Sequence, residues 1–305
     1  MNNNYVLRAE SVTKMFGKEV AVNDVSFALE EGKCIALIGP NGAGKTTILR
    51  ILAGLLKSTS GKITYSEKQE GRDFRETIGY LPQYPTMHGW MTGLEYLLYC
   101  AQLTYLPKKE AETRAHALLE RVGISEARNK RIQSYSGGMK QRLGIAQALI
   151  HQPALLMLDE PVSALDPLGR REILSLLEKL KEETTILFST HILSDADEIS
   201  DELLLLYQGN LVESGSLHLL RKKYQVATIA LEIDGDLTAL KEKVEKIEGV
   251  TSTHIQRDRL HLAVTSIEEV RDALFEETLG EQWPVTHFSI NKASLEDMFM
   301  KAVQR

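Results

Sequence analysis

Scarcity is the first guide to this sequence. Only two of its 305 residues are cysteine, Cys34 and Cys100, each inside an apolar run and neither at metal-ligand spacing. That excludes a disulfide framework and a cysteine-based metal site, fits a reducing compartment, and leaves both thiols as small buried hydrophobes. Long apolar runs are missing as well: nothing approaches the roughly 20 apolar residues that span a bilayer as a helix. The opening Met1-Asn2-Asn3-Asn4 lacks a basic-then-apolar secretion signal. There is no low-complexity tract and no repeat at solenoid period. A basic surplus is absent too, since 36 Lys and Arg stand against 42 Asp and Glu for a net charge of -6, so nothing favours nucleic acid as the main partner. The expectation is a soluble, cytoplasmic chain.

What is present, 43% hydrophobic and 26% charged residues, is ordinary for a folded protein. Single cores stop growing near ~250 residues, so 305 residues point to one large and one small domain. Rough alternation over residues 5–12 and 25–29 predicts strands of a half-exposed antiparallel sheet. Residues 34–38 differ, forming an uninterrupted apolar run that feeds a glycine-rich loop, as a buried parallel strand would. Helical spacing follows over 46–55, then over 93–122 with a break at Pro107, and over 137–150. Strands are predicted at 154–158, 185–189 and 203–207, separated by amphipathic stretches at 166–180 and near Ala196, an alternation that implies a parallel sheet. A hairpin turning at Gly209-Asn210 closes the first domain near Ser216. After a basic connector, Arg221-Lys222-Lys223, strands at 226–233, 250–255, 259–264 and 285–290 interleave with helices at 237–247, 267–279 and 294–302. That order is a split β-α-β with a terminal helix, a ferredoxin-like plan.

The chemistry is concentrated in a few segments. Gly39-Pro40-Asn41-Gly42-Ala43-Gly44-Lys45-Thr46 places two glycines and a Lys-Thr pair between an apolar strand and a helix, the phosphate-loop pattern. Glycines let backbone N–H groups ring phosphates, the helix N-terminus adds positive potential, Lys45 neutralises charge and Thr46 can ligate Mg²⁺. Residues 155–158 form a buried strand ending in Asp159 and Glu160; the first carboxylate suits a Mg²⁺ shell and the second can orient and polarise an attacking water. Taken alone such a pair often just caps a strand. Ser136-Gly137-Gly138 opens a helix as a second phosphate-binding terminus, one more than a single nucleotide needs. Gln83 follows an apolar strand at 78–81 and could reach the metal or the water. His191 follows another and could hydrogen-bond a γ-phosphate.

In order and spacing these residues resemble the ABC ATPase family over about residues 5–220. The resemblance implies an α/β fold: a P-loop NTPase cassette with a RecA-like parallel sheet core, an antiparallel β subdomain and an α-helical subdomain at about 84–152. It places the ATPase domain at 1–220, and a small accessory or regulatory α+β ferredoxin-like domain follows at 225–305. It further implies that residues 39–47, ending in Thr47, form the P-loop, Gln83 the Q-loop with a share in metal binding, 136–139 the signature, Asp159 and Glu160 the Walker-B pair, 163–166 the D-loop and His191 the switch. Phe16 stands where the family usually stacks a Tyr on adenine. ATP and Mg²⁺ are the implied cofactors.

The same resemblance implies two copies head to tail, as a homodimer or a heterodimer with a related ATPase, enclosing two ATP. Hydrolysis would drive a multi-span membrane permease on a separate chain, with this chain peripheral on the inner face of the membrane. Tyr135 and Met139 replace the commoner Leu and Gln of the signature. That variant, and a tail reading Ala293-Ser294-Leu295-Glu296-Asp297-Met298-Phe299, are similar to the branch that powers drug, antibiotic and natural-product exporters. Two other readings stay open. An importer subunit would share every ATPase motif. A soluble ABC ATPase acting on nucleic acid or the ribosome would more commonly carry two cassettes or a coiled-coil insert, whereas only residues 47–135 separate P-loop from signature here. A non-hydrolysing regulatory module is opposed by the presence of Lys45, Asp159, Glu160 and His191.

Overall fold

Twelve-residue strands open the chain where the sequence shows only short alternations. β1 (Tyr5–Phe16) and β2 (Glu19–Glu30) pair antiparallel, with register shifts around Ser11 and Lys14. Ser11 and Asp24 both hold φ near 48°. Each shift slips the two-residue side-chain period, so the hydrophobic alternation breaks while the strand continues. The computed structural model describes residues 4–66, 73–163, 165–224, 227–256, 258–280, 283–291 and 295–303, and the chain divides into two compact units, Met1–Leu217 and His218–Arg305.

In the first unit β3 (Cys34–Ile38) is wholly buried, and α1 (Lys45–Leu52) follows. The predicted helix extends to Leu55; the observed one stops at Leu52, and Leu55 is exposed. β4 (Ser60–Tyr65) joins the other side of β1, completing a three-stranded sheet ordered β2-β1-β4. Its partly exposed residues carry no apolar alternation, which is why the sequence reading passes over it. β5 (Ile78–Leu81) leads to the helical part: α2 (Gly93–Leu103), closed by a Thr92/Glu95 capping box, α3 (Lys108–Arg121), entered through Pro107, and α4 (Gly137–Leu149). The Pro107 break is as expected, because proline fits a helix start and not its interior.

β6 (Leu155–Leu158), α5 (Pro167–Leu180), β7 (Thr185–Thr190), α6 (Leu193–Ile199), β8 (Glu202–Tyr207) and β9 (Asn210–Ser216) complete a six-stranded sheet ordered β5-β6-β7-β3-β8-β9. All neighbours run parallel except β9, the hairpin partner of β8. Burial of every residue of β3, β6 and β7 matches strands covered on both faces. This α/β core, beside an antiparallel sheet and a helical region, agrees with the expected fold class.

Arg221, Lys222 and Lys223, read from the sequence as a connector, lie in the last turn of α7 (Leu217–Tyr224). The second unit contains β10 (Ala227–Ile233), α8 (Leu237–Val244), β11 (Val250–Gln256), β12 (Arg259–Val264), α9 (Ile267–Gly280), β13 (Val285–Asn291) and α10 (Leu295–Val303). Its antiparallel sheet runs β11-β12-β10-β13, the strand order of the split β-α-β plan. Ile229, Leu231, Leu260 and Leu262 form its core with Leu240, Val244, Val270 and Leu274 of the two helices. Of the sequence features named above, Met1, Asn2, Asn3, Ala164, Val226, Ala293 and Ser294 lie outside the described residues.

Candidate functional site

Four loops that are far apart in the chain leave the same edge of one sheet. β5, β6, β7 and β3 are adjacent and parallel, so their carboxyl ends deliver Gln83, Asp159 with Glu160, His191 and residues 39–47 to one place. Open α/β sheets bind ligands at this edge.

The 39–47 loop needs its glycines for two close approaches. A Cβ on Gly39 would lie 2.2 Å from the Leu206 carbonyl oxygen, and one on Gly44, at φ +102°, would lie 2.5 Å from that of Ala21. Gly44 is also the N-cap of α1, and no side chain caps that end, so its free N–H groups and dipole remain available to an anion. Lys45 is buried, donates to the Gly39 and Pro40 carbonyls at 2.8 and 3.2 Å, and stands 3.6 Å from Glu160 Oε1. Burial pushes its pKa down, partly opposed by the Glu160 and Asp159 carboxylates.

The acidic pair is held by a residue that the sequence reading missed. Ser189, at the end of β7, donates to Asp159 Oδ1 at 2.7 Å and accepts from the Glu160 N–H at 2.8 Å. The hydroxyl pair Ser189-Thr190 that ends an apolar run was the available signal. Glu160 itself holds φ 49°, a left-handed conformation that costs a non-glycine residue about 1–3 kcal/mol and persists where surrounding contacts over-determine it. His191 Nδ1 lies 3.0 Å from both Glu160 carboxylate oxygens, so that nitrogen carries the proton it donates. Thr46 Oγ1 donates to Asp159 Oδ1 at 3.2 Å, while Asp159 Oδ2 is buried without a hydrogen-bond partner. An orphaned carboxylate oxygen beside a threonine hydroxyl is the donor chemistry of a hard divalent cation, so these residues fit Mg²⁺.

An open cavity of about 750 Å³ adjoins this edge, lined among others by Phe16, Val20, Gly42 to Thr47, Gln83 and Glu160. The size lies in the range of small-molecule sites. Phe16 is half exposed, with Lys14 Nζ 5.0 Å from its ring centre. Gln208 and Gly209 line the cavity too; the sequence marks Gly209 only as part of a hairpin turn and does not mark Gln208. A second cavity, about 290 Å³, is lined by Arg114, Arg121 and Leu149 among others, but its arginines already pair with Glu110 and Glu183.

Ser136, Gly137 and Gly138 are elsewhere and line no part of this cavity. Ser136 caps α4, accepting from the Met139 N–H at 3.2 Å, and no atom would obstruct a Cβ on Gly137. Tyr135 is an anchor: it is buried, donates its hydroxyl to the Ala127 carbonyl at 2.7 Å, and packs where a Cβ on Gly93 would collide with it. Tyr135, which stands in place of the commoner signature residue, thus anchors the chain immediately before the Ser136 cap of α4.

Comparison with known proteins identifies the family. Residues 22–163 match the ABC transporter family, and residues 215–303 match the C-terminal domain of DrrA1-3-like ATP-binding proteins. The chain is 40% identical over 301 residues to the uncharacterized ABC transporter ATP-binding protein YxlF of Bacillus subtilis, covering 98% of this chain and 99% of the relative. It is 33% identical to the bacitracin transport ATP-binding protein BcrA of Enterococcus faecalis, covering 98% and 96%. A dimeric ATP-binding cassette in a post-hydrolysis state, bound to ADP and Pi, superposes with TM-score 0.62 at 27% identity over 69% of this chain and 98% of that one. The chain belongs to the ATP-binding proteins of ABC transporters, ATPases whose hydrolysis is coupled to transport.

Proposed function

We propose that this protein works as a dimer that encloses two ATP between its copies and drives export through a separate multi-span membrane permease. The carrying observation is that Lys45, Thr46 and Glu160 line one cavity, with Asp159 bonded to Thr46 and His191 to Glu160 beside it. Residues 39–47 would cradle the phosphates, with Lys45 exchanging its loop carbonyls for phosphate oxygens. Thr46, Asp159 and Gln83 would hold Mg²⁺, which when bound neutralises phosphate charge. Glu160, oriented by the His191 N–H and the Ser189 hydroxyl, would position and polarise the attacking water. Phe16 would stack on adenine.

The dimer follows from what the site lacks on its own. Ser136, Gly137 and Gly138 are built to bind phosphate at a helix start, yet serve no part of their own cavity, which suits a nucleotide held by a second copy or a related ATPase. Export is favoured by the DrrA-like C-terminal match and the bacitracin transport relative. In this reading residues 1–220 are the ATPase domain, and 225–305 are accessory. The permease would dock on the helical region, where Tyr84 and Trp90 are exposed and His88 packs against Trp90, Tyr96 and Tyr99 close to Gln83. The chain would then lie peripherally on the cytoplasmic face of the membrane, with no role for nucleic acid; no described helix is long and apolar enough to cross a bilayer.

The test is Glu160→Gln beside Lys45→Ala. Glu160→Gln should trap an ATP-bound dimer while hydrolysis falls by about 10²–10⁴, and Lys45→Ala should lose ATP. Wild-type turnover in the first variant, or unchanged ATP affinity in the second, overturns the assignment.

A further inference from the structure

The β8–β9 turn does more than reverse the chain. Gly209 donates its N–H to the Ala43 carbonyl of the phosphate loop at 3.1 Å, and its own carbonyl accepts from the Asn23 N–H of β2 at 2.8 Å. One residue thus ties the phosphate loop to the sheet that carries Phe16. A side-chain bridge reinforces it: Asn23 Nδ2 donates to Asn210 Oδ1 at 2.9 Å, and Asn210 Nδ2 donates to the Gln208 carbonyl at 3.0 Å. Space is tight, since a Cβ on Gly209, at φ +78°, would lie 3.1 Å from the Ala21 carbonyl oxygen. That same oxygen is the one Gly44 packs against.

Phe16 is seven residues from Asn23 along the β1–β2 hairpin, where it pairs with Glu19. The phosphate loop and Phe16 belong to different sheets that share a core including Val22, Ala43, Ile48 and Leu49, and the Gly209 and Asn23–Asn210 bonds add a polar link between β2 and the loop. We propose that Asn23 and Asn210 are positioning residues for nucleotide recognition: their amide bridge, acting through Gly209, holds the aromatic platform at the distance from the phosphate loop that an adenosine requires. This rests on the nucleotide-binding reading above. It separates two functions of one cavity, phosphate capture by the loop and base selection by a hinge held at the correct span.

The measurement is equilibrium binding of Mg-ATP and of Mg-tripolyphosphate, which has the phosphates without the base, to wild type, Asn23→Ala, Asn210→Ala and the double variant. Loss of one neutral hydrogen bond predicts ATP binding weaker by about twofold to tenfold, with tripolyphosphate affinity unchanged. The two alanine changes should be non-additive, because either one removes the whole bridge. Equal weakening of both ligands would mean general loop damage and overturns the proposal, as does no change in either. Wild type and Lys45→Ala report on the underlying reading: if wild type binds neither ligand, or Lys45→Ala binds both as tightly, the phosphate site is misassigned and the inference falls with it. If phosphate binding stands and selectivity does not move, only the hinge is wrong.

Discussion

The Ser189 hydroxyl, fully buried at the end of β7, lies 2.7 Å from Asp159 Oδ1 on the neighbouring strand end. Through its second bond, to the Glu160 N–H at 2.8 Å, it fixes both carboxylates at once. Ser189→Ala leaves that buried N–H without its partner, a cost of about 1–3 kcal/mol. We expect a lower urea midpoint at constant m-value, together with reduced ATP turnover. An unchanged midpoint would show that water or a neighbour replaces the hydroxyl.

Arg170 and Asp195 form an ion pair between α5 and α6, with Asp195 almost fully buried and its second oxygen unpartnered. Burial raises the Asp195 pKa above the ordinary carboxylate value, with Arg170 opposing the shift. Arg170→Ala strands a buried carboxylate and should cost about 3–5 kcal/mol at neutral pH. A carboxyl whose folded pKa exceeds its unfolded value binds more protons when native, so stability falls as pH rises through that interval. The penalty should therefore shrink towards pH 5 and grow towards pH 8. Denaturant melts at the two pH values check this, and a pH-independent penalty would assign it to lost packing.

The two thiols should be poor nucleophiles in the native protein. Burial pushes Cys34 up to about 12 and Cys100 up to about 11, the latter slightly relieved by Tyr96. Because the thiolate is the reactive form, iodoacetamide at pH 8 should modify Cys34 about a thousandfold and Cys100 about a hundredfold more slowly than an ordinary thiol. Mass spectrometry of pulse-labelled native and urea-unfolded protein reads both rates. Fast native labelling of Cys34 would place it in an opened segment.

Half-exposed Phe16, in the cavity lining, offers a ring face for stacking. Stacking of a base on an aromatic is worth about 1–3 kcal/mol, so Phe16→Ala should weaken ATP binding roughly tenfold to a hundredfold, while Phe16→Tyr should stay near wild type. Isothermal titration of the three proteins separates them. Equal affinity in all three would remove Phe16 from the base site.

Residue type and short-range spacing determined the elements whose partners are close in sequence. The apolar run of β3 with its glycine loop, the strand ending in Asp159-Glu160, the Pro107 break and the capped start of α4 were all legible because each depends on local backbone sterics and local hydrophobic pattern. The strands of the antiparallel sheet were legible only in part: bulges reset the period in β1 and β2, and β4 has no buried alternation to display. What the tertiary structure alone decided is proximity. Ser189 shares hydrogen bonds with Asp159 and Glu160 because β6 and β7 are neighbours, and Asn23 meets Asn210 across 187 residues because the β8–β9 turn lands on β2. Such contacts depend on strand order and sheet packing, which are fixed by the burial of the whole core, and no local pattern in the sequence encodes them.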